Sequence, residues 1–115
     1  MVAKASSLPV IDQKTLDEIV ARLLKAAPPG SKVILFGSQA RGDADRLSDV
    51  DVMVVEPEVE NTTAEALRLD HVLDSLRIPV DIIVTSTENF DYWKETVNTL
   101  YYRAVREGKT YETPG

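Results

Sequence analysis

The chain has 115 residues, a formal net charge of −6 and no cysteine. This length suits one domain with a single core and excludes a catalytic domain joined to a separate substrate domain. The negative charge argues against extended nucleic-acid binding, in which Lys and Arg neutralise phosphates. The lack of cysteine excludes disulfides and Cys-based zinc sites.

We expect residues 1–115 to form one domain that begins with a loose leader over residues 1–11. The apolar runs are far shorter than the roughly 18 residues that span a bilayer, and no apolar signal segment follows Met1. The sequence therefore predicts a soluble, cytoplasmic protein without membrane contact. Asp12 is a candidate N-cap for a first helix to about Ala27, which shows apolar residues at helical spacing.

Two strands are predicted on either side of a polar loop. The first covers about residues 31–36 and leads into a turn at Gly37-Ser38, and the second covers about residues 49–55. In the second strand Val50, Val52 and Val54 alternate with Asp49 and Asp51, so the valines face the core and the carboxylates face the other way.

The second half of the chain predicts a helix, a strand and a final helical region. Thr62-Thr63-Ala64-Glu65 is a capping-box pattern that opens a helix to about Leu76. An apolar strand over residues 79–84 follows and contains Asp81. Ser86 or Thr87 can cap a last helical region to Glu107, with Gly108 just beyond its end.

This element order predicts an α/β fold, a small mixed β-sheet with helices packed on one face. The short connection between the first two strands suits an antiparallel pair, and the helix between the second and third suits a parallel crossover. The carboxylates would then lie on the open face of the sheet.

Asp49 and Asp51 indicate a metal site. Alternate residues of a strand point to the same side and are roughly 6–7 Å apart. Two carboxylates at that separation can share a pair of divalent cations about 3.5–4 Å apart, as in phosphoryl or nucleotidyl transfer. The alternative is a solvated edge strand, although Asp is disfavoured in strands and like charges this close repel without a cation.

The fifteen residues from Gly37 to Asp51 resemble a motif of the nucleotidyltransferases of the DNA polymerase β superfamily. The small size is similar to that of the minimal branch, the MNT antitoxins paired with HEPN ribonuclease toxins. Asp81, on a later apolar strand, matches the family's third acidic position. The resemblance covers about residues 15–108 and implies the polymerase β-like nucleotidyltransferase fold.

The resemblance also implies a reaction, the transfer of AMP from Mg-ATP to a hydroxyl acceptor, with two Mg²⁺ ions during catalysis. It implies catalytic and metal-binding roles for three carboxylates and nucleotide-binding roles for four further residues. The carboxylates are Asp49, Asp51 and Asp81; the nucleotide-binding residues are Gly37, Ser38, Arg41 and Ser48. Ser38 could instead be only a helix N-cap, Arg41 could pair with Asp43, and Ser48 would fix the loop by a hydrogen bond.

Other conspicuous residues are weaker candidates for a catalytic or binding role. His71, the single histidine, is expected to be a surface residue, and Glu56, Glu58 and Glu60 a solvated acidic loop. Some of the C-terminal aromatic residues are expected to lie in the core. Others are expected to form a partner-docking surface, since Tyr and Trp favour interfaces. These aromatics are Phe90, Tyr92, Trp93, Tyr101 and Tyr102.

Three functions remain open at this point. In the first, the acceptor is a tyrosine of a cognate HEPN toxin, silenced by adenylylation. In the second, the chain neutralises its toxin by binding alone, and in the third the acceptor is a small molecule. Three acidic residues in the expected places favour transfer. The sequence leaves a homo-oligomer open and does not identify the acceptor.

Overall fold

A computed structural model describes residues 13–36 and 50–112 of the chain. The described elements are four helices, a short 3₁₀ turn over Asp74–Leu76 and four strands, in the following order. They are α1 (Gln13–Ala26), β1 (Lys32–Phe36), β2 (Val50–Glu56), α2 (Thr62–Val72), β3 (Val80–Ser86), α3 (Thr87–Trp93), α4 (Leu100–Glu107) and β4 (Lys109–Glu112). The predicted first helix and three strands are confirmed to within one or two residues at each described end, whereas residues 1–11 and Asp12 lie outside the described ranges.

The four strands form one mixed sheet in the order β3, β2, β1, β4. β1 pairs antiparallel with β2 and with β4, while β2 and β3 are parallel. Both predicted pairings are therefore confirmed. The parallel pair is joined by α2, since a crossover connection between parallel strands requires a helix or a loop of similar length.

One face of the sheet packs against α1 and α2. Val50, Val52 and Val54 of β2 are fully buried there, as their alternation predicted. α1 contributes a buried stripe at helical spacing from Leu16 to Leu23, and α2 contributes Leu69. This apolar layer is the main core, and its burial is the principal favourable term in folding.

The small mixed sheet with helices is confirmed, and the structure corrects where the helices lie. The sequence analysis placed them on one face, but α3 and α4 cover the other. Phe90 of α3 and Ala104 of α4 are buried there against alternate residues of β1 and β2, namely Ile34, Phe36, Met53 and Val55. Both faces of the central strands are apolar, so both require a covering layer.

The C-terminal region differs from its prediction as a single helical segment. α3 ends at Trp93, and α4 begins after Thr99, whose hydroxyl accepts a hydrogen bond from the Tyr102 amide. Asn98 between them has φ +73°, a backbone conformation that interrupts a helix. The helical prediction is therefore wrong between Lys94 and Thr99, and β4 was not predicted.

Gly108 joins α4 to β4 in very little space. A Cβ atom at this position would lie 2.5 Å from the carbonyl oxygen of Ala104 and 2.6 Å from a methyl group of Ile34. The Gly108 amide donates to that same Ala104 carbonyl at 2.9 Å. A residue without a side chain therefore lets β4 turn back along β1.

Two predicted helix starts are refined by the structure. Asn61, not Thr62, caps α2, because its side-chain oxygen accepts from the Ala64 amide at 2.9 Å. Ser86 caps α3 as expected, by accepting from the Asn89 amide. Within the described ranges, each helix is too short or too polar to cross a membrane.

Candidate active site

Asp51 lies at the beginning of β2, between two neighbouring strands. It pairs with Phe36 of β1 on one side and with Asp81 of β3 on the other. Asp51 is partly exposed and Asp81 is exposed. Because β2 alternates, Asp51 points away from the valine face of the strand and toward the face that carries Met53 and Val55.

The register brings the Asp51 and Asp81 carboxylates to the same face of the sheet. Paired residues on adjacent strands point in the same direction, and such strands are about 4.7–4.9 Å apart. Two acidic side chains in this position repel each other unless a positive charge lies between them. The pair is therefore a good candidate for cation binding.

The pair also fits Mg²⁺ in its chemistry. Mg²⁺ takes hard oxygen ligands and is usually held by one or two carboxylates together with substrate phosphates. Within residues 13–36 and 50–112, no group of three or more His, Cys, Asp or Glu side chains comes together in a way that could hold a metal ion. The third predicted ligand, Asp49, lies just before the second of these ranges.

The remaining predicted site residues also fall outside the described residues. They are Gly37, Ser38, Arg41 and Ser48. The two residues that flank this part of the chain, Phe36 and Val50, lie on neighbouring strands at the Asp51 end of the sheet. The structure thus brings together Asp51 and Asp81, and the roles of the other five residues stay predictions.

Arg103 of α4 is a residue at this end of the sheet that the sequence analysis missed. Its guanidinium lies over the Phe36 ring, 5.8 Å from the ring centroid. Phe36 is the cross-strand partner of Asp51. No local pattern marks Arg103, because its position depends on how α4 packs across β1.

The other end of β2 carries a second acidic group, and here the sequence prediction was wrong. Glu56 was expected in a solvated loop, but it is the last residue of the strand and only 2% exposed. Burial, followed by a hydrogen bond with Glu65 and the charge of that residue, raises the pKa of Glu56 to about 8. Glu58 and Glu60 are exposed, as expected.

Arg68 of α2 balances the charge beside Glu56. It donates two hydrogen bonds to Glu65, at 2.6 and 2.9 Å, and one to the Ala26 carbonyl at 2.9 Å. The hydrogen bonds from Arg68, and then that with Glu56, lower the pKa of Glu65 to about 2. This cluster ties α1, α2 and the end of β2 together, and a structural role accounts for it.

As the sequence analysis expected, some of the C-terminal aromatic residues belong to the core. Phe90 is buried and Tyr101 packs beside it, whereas Tyr92 is 74% exposed and Trp93 is 38% exposed. Tyr92 and Trp93 contact each other edge to face, with ring centroids 4.9 Å apart. We call Tyr92 and Trp93 the apolar patch; Val97 and Leu100 are also exposed.

His71 is confirmed as a surface residue. Its side chain is 77% exposed and its Nδ1 lies 3.1 Å from a carboxylate oxygen of Asp74. It is located on α2, which packs on the valine face of β2, opposite to Asp51. The structure gives it no place in the candidate site.

The family model of the nucleotidyltransferase domain matches residues 14–106, which is most of the chain. A curated relative in Methanocaldococcus jannaschii, the "putative protein adenylyltransferase MJ0141", is 34% identical over 74 residues. That match covers 64% of this chain and 70% of the relative.

Two solved structures resemble the fold. A "putative nucleotidyltransferase" from Sulfolobus solfataricus has 30% sequence identity and a TM-score of 0.53, with 69% of this chain and 70% of that one covered. A chain of a complex between a tri-AMPylated Shewanella oneidensis HEPN toxin and an MNT antitoxin has a TM-score of 0.57. Its identity is 21%, with 89% of this chain and 74% of that one covered, so this likeness supports the fold alone.

Proposed function

Because this chain belongs to the nucleotidyltransferase domain family, we propose that it transfers AMP from Mg-ATP to a hydroxyl group of a partner protein. The acceptor we propose is a tyrosine of a cognate HEPN-type toxin, so that the chain acts as an antitoxin. The single observation that carries the proposal is the register of Asp51 with Asp81. The name of the Methanocaldococcus jannaschii relative, "putative protein adenylyltransferase", supports the choice of donor and of a protein acceptor.

Three carboxylates would hold Mg²⁺ in this site. Asp49 and Asp51 would bind the ion that accompanies the nucleotide, and Asp81 would complete a second position together with them. When bound, Mg²⁺ neutralises phosphate charge and stabilises the attacking and leaving oxygens of an in-line displacement. Side-by-side carboxylates on β2 and β3 match that requirement.

Four residues of the Gly37–Ser48 region would bind the nucleotide. The Ser38 hydroxyl and the amides after Gly37 would donate hydrogen bonds to the β- and γ-phosphates, in the manner of anion sites built from backbone N–H groups. Arg41 would neutralise triphosphate charge. Ser48 would fix the loop that leads into Asp49.

The reaction forms one bond and breaks one. The acceptor hydroxyl oxygen attacks the α-phosphorus of ATP, and the bond from that phosphorus to the bridging oxygen breaks, so that pyrophosphate leaves. Asp81, exposed at the edge strand β3, lies where an incoming acceptor can approach. One of its carboxylate oxygens would accept the hydroxyl proton, a general-base role suited to a carboxylate.

The apolar patch would give the partner protein its docking surface. Tyr92 and Trp93 are large side chains with a polar atom each, a combination enriched at interfaces. Affinity for the acceptor would then come from the surface of the same domain that carries the carboxylates. We place the reaction in the cytoplasm, with the toxin and ATP in the same compartment.

The experiment is co-expression of the chain with its proposed partner, a cognate HEPN-type protein, followed by intact-mass spectrometry of the partner. The wild type should add the mass of one or more AMP groups to the partner and rescue growth. The Asp49→Asn/Asp51→Asn double variant should still bind the partner without modifying it. Glu58→Gln, which removes an exposed carboxylate outside the site, is the matched control and should behave as wild type.

Neutralisation by binding alone is the competing function. It would be the better account if the double variant rescued growth as well as wild type while the partner stayed unmodified in both cases. Transfer to a small molecule would instead leave the partner unmodified and give an AMP-labelled low-molecular-weight product.

A further inference from the structure

Helix α4 presents two arginines, one turn apart, that both lie over aromatic rings. Arg103 lies over Phe36 of β1, with 5.8 Å from its guanidinium carbon to the ring centroid. Arg106 lies over Tyr102 of its own helix at 5.3 Å. The two residues thus make the same kind of contact, but only Arg103 reaches across to the sheet.

The Phe36 contact places the Arg103 guanidinium at the same end and on the same face of the sheet as the acidic pair. Phe36 is paired with Asp51, which is paired with Asp81, and all three side chains point to the face that α4 covers. Cross-strand neighbours have Cβ atoms about 5 Å apart. Phe36 therefore connects the Arg103 guanidinium to the acidic pair, since it contacts the guanidinium and is the cross-strand neighbour of Asp51.

The remaining contacts of Arg103 leave its N–H groups able to bind an anion. Its contact with Glu107 is 3.8 Å long and its side chain is 47% exposed, and surface ion pairs of this kind contribute little. The guanidinium plane can stack on an aromatic ring while its edge donates hydrogen bonds. Contact with the Phe36 ring thus restricts where the guanidinium lies.

We propose that Arg103 contacts the triphosphate of the bound nucleotide and is a substrate-binding residue of the transferase. The inference rests on the proposed function. An anion that is held beside Asp51 and Asp81 through shared cations still carries negative charge on its outer phosphates. Arg103 offers a bidentate donor at that place, and arginine is suited to phosphate by its planar fork.

The test is equilibrium binding of Mg-ATP, measured by calorimetry on wild type, Arg103→Gln, Arg103→Lys and Arg106→Gln. Arg103→Gln should weaken Mg-ATP binding by roughly tenfold to a hundredfold, the range for loss of a hydrogen bond to a charged group. Arg103→Lys should retain part of the affinity, since it keeps the charge and loses the fork. Arg106→Gln should change it by less than about twofold, because a ring contact of this kind contributes little at an exposed site.

AMP, which lacks the β- and γ-phosphates, should bind wild type and Arg103→Gln with similar affinity. Thermal melts of all four proteins show whether packing is retained. Equal weakening of Mg-ATP by Arg103→Gln and Arg106→Gln, or equal weakening of AMP and Mg-ATP by Arg103→Gln, would overturn the role of Arg103 while the proposed function stands. A wild-type chain that binds no Mg-ATP would overturn both.

Discussion

Strand β2 carries acidic residues at its two ends, and these residues differ in burial and in their neighbours. At the Glu56 end, burial keeps a proton on one carboxyl and Arg68 compensates the neighbouring Glu65. At the Asp51 end, two carboxylates lie side by side on adjacent strands, and Asp81 has no ion pair within the part of the chain that the structure describes.

The difference separates structural from functional acid groups. At the Glu56 end, the buried carboxyl is neutral and an arginine of the same fold pairs with its neighbour. This acidic cluster therefore needs no bound cation, and its contacts join elements of the fold together. Where the chain brings carboxylates together at an exposed position, a bound cation can supply the compensating charge. Exposure thus distinguishes the two ends, because the Glu56 carboxyl is buried within the fold whereas Asp81 is accessible to a cation and a substrate.

The largest expected effect is on transfer by Asp51→Asn. Loss of a carboxylate that holds the cation should reduce the rate by about 10²–10³-fold or more, the range for one preorganised electrostatic stabiliser. Asn matches Asp in size and the position is partly exposed, so the folded protein should be retained. A transfer assay and a thermal melt measure the two effects.

Glu56→Gln is the matched change at the other end of the strand. It should leave the transfer rate within about twofold of wild type, since it acts only on a neutral, buried carboxyl. A loss of transfer as large as that of Asp51→Asn would remove the distinction between the two ends.

The next effect is the pH dependence of stability, which comes from Glu56. Its pKa is about 8 in the folded state against 4.5 for an unperturbed glutamate, so the folded state holds this proton more tightly. The contribution to stability is complete below pH 4.5 and is lost as pH rises through about 8. Glu56→Gln cannot lose a proton and should stay level over that window, whereas wild type should lose on the order of 2–4 kcal/mol.

Chemical denaturation from about pH 5 to about pH 9 measures this effect, because that range spans the titration of Glu56. The low pKa of Glu65 acts in the other direction and at lower pH, with stability lost as pH falls from 4.5 toward 2. The two residues therefore act in separate windows. An identical slope over this range in wild type and Glu56→Gln would contradict the burial of Glu56.

A smaller loss is expected for Arg68→Met. The change removes the hydrogen bonds to Glu65 and to the Ala26 carbonyl, and it should cost about 1–2 kcal/mol because half of the Arg68 side chain is exposed. Lys25→Met, an exposed cation in the last turn of α1, should cost less than about 0.5 kcal/mol. Urea unfolding compares the two, and equal costs would argue against the cluster as a link between α1 and α2.

The smallest effect is expected for His71→Ala. The His71 contact with Asp74 is exposed on both sides, so the change should alter stability by less than about 0.5 kcal/mol. The transfer rate should not change. A clear loss of transfer in this variant would bring α2 into the chemistry and break the assignment of function to the Asp51 end.

The sequence was sufficient for the features that repeat locally. The alternation of valine and aspartate predicted which face of β2 is buried, and the parallel crossover followed from the helix between β2 and β3. The burial of Glu56 could not be predicted, because it depends on α2 packing over the end of the strand. β4 has mostly exposed residues and exists through its pairing with β1.

The same limit applies to the candidate site. Asp51 and Asp81 are far apart along the chain, and the parallel register brings them together in space. No local pattern predicted this pair, and Asp81 was identified only through the family resemblance. Arg103 is further still from Asp51 along the chain. Its position over Phe36 is set by the angle at which α4 crosses β1, which a single sequence does not encode in any short stretch.

Gly108 bears on how the tolerance of this chain to mutation should be interpreted. A saturation scan should find this position among the least tolerant, since any side chain would collide with Ala104 and Ile34. The position lies at the turn from α4 into β4, on the opposite side of β1 from Asp51, so its intolerance would reflect the closure of a sheet edge. Mutational-sensitivity maps of this family should therefore be compared with the space available around each residue. An intolerant position can reflect tight packing at a turn as well as a role in the reaction.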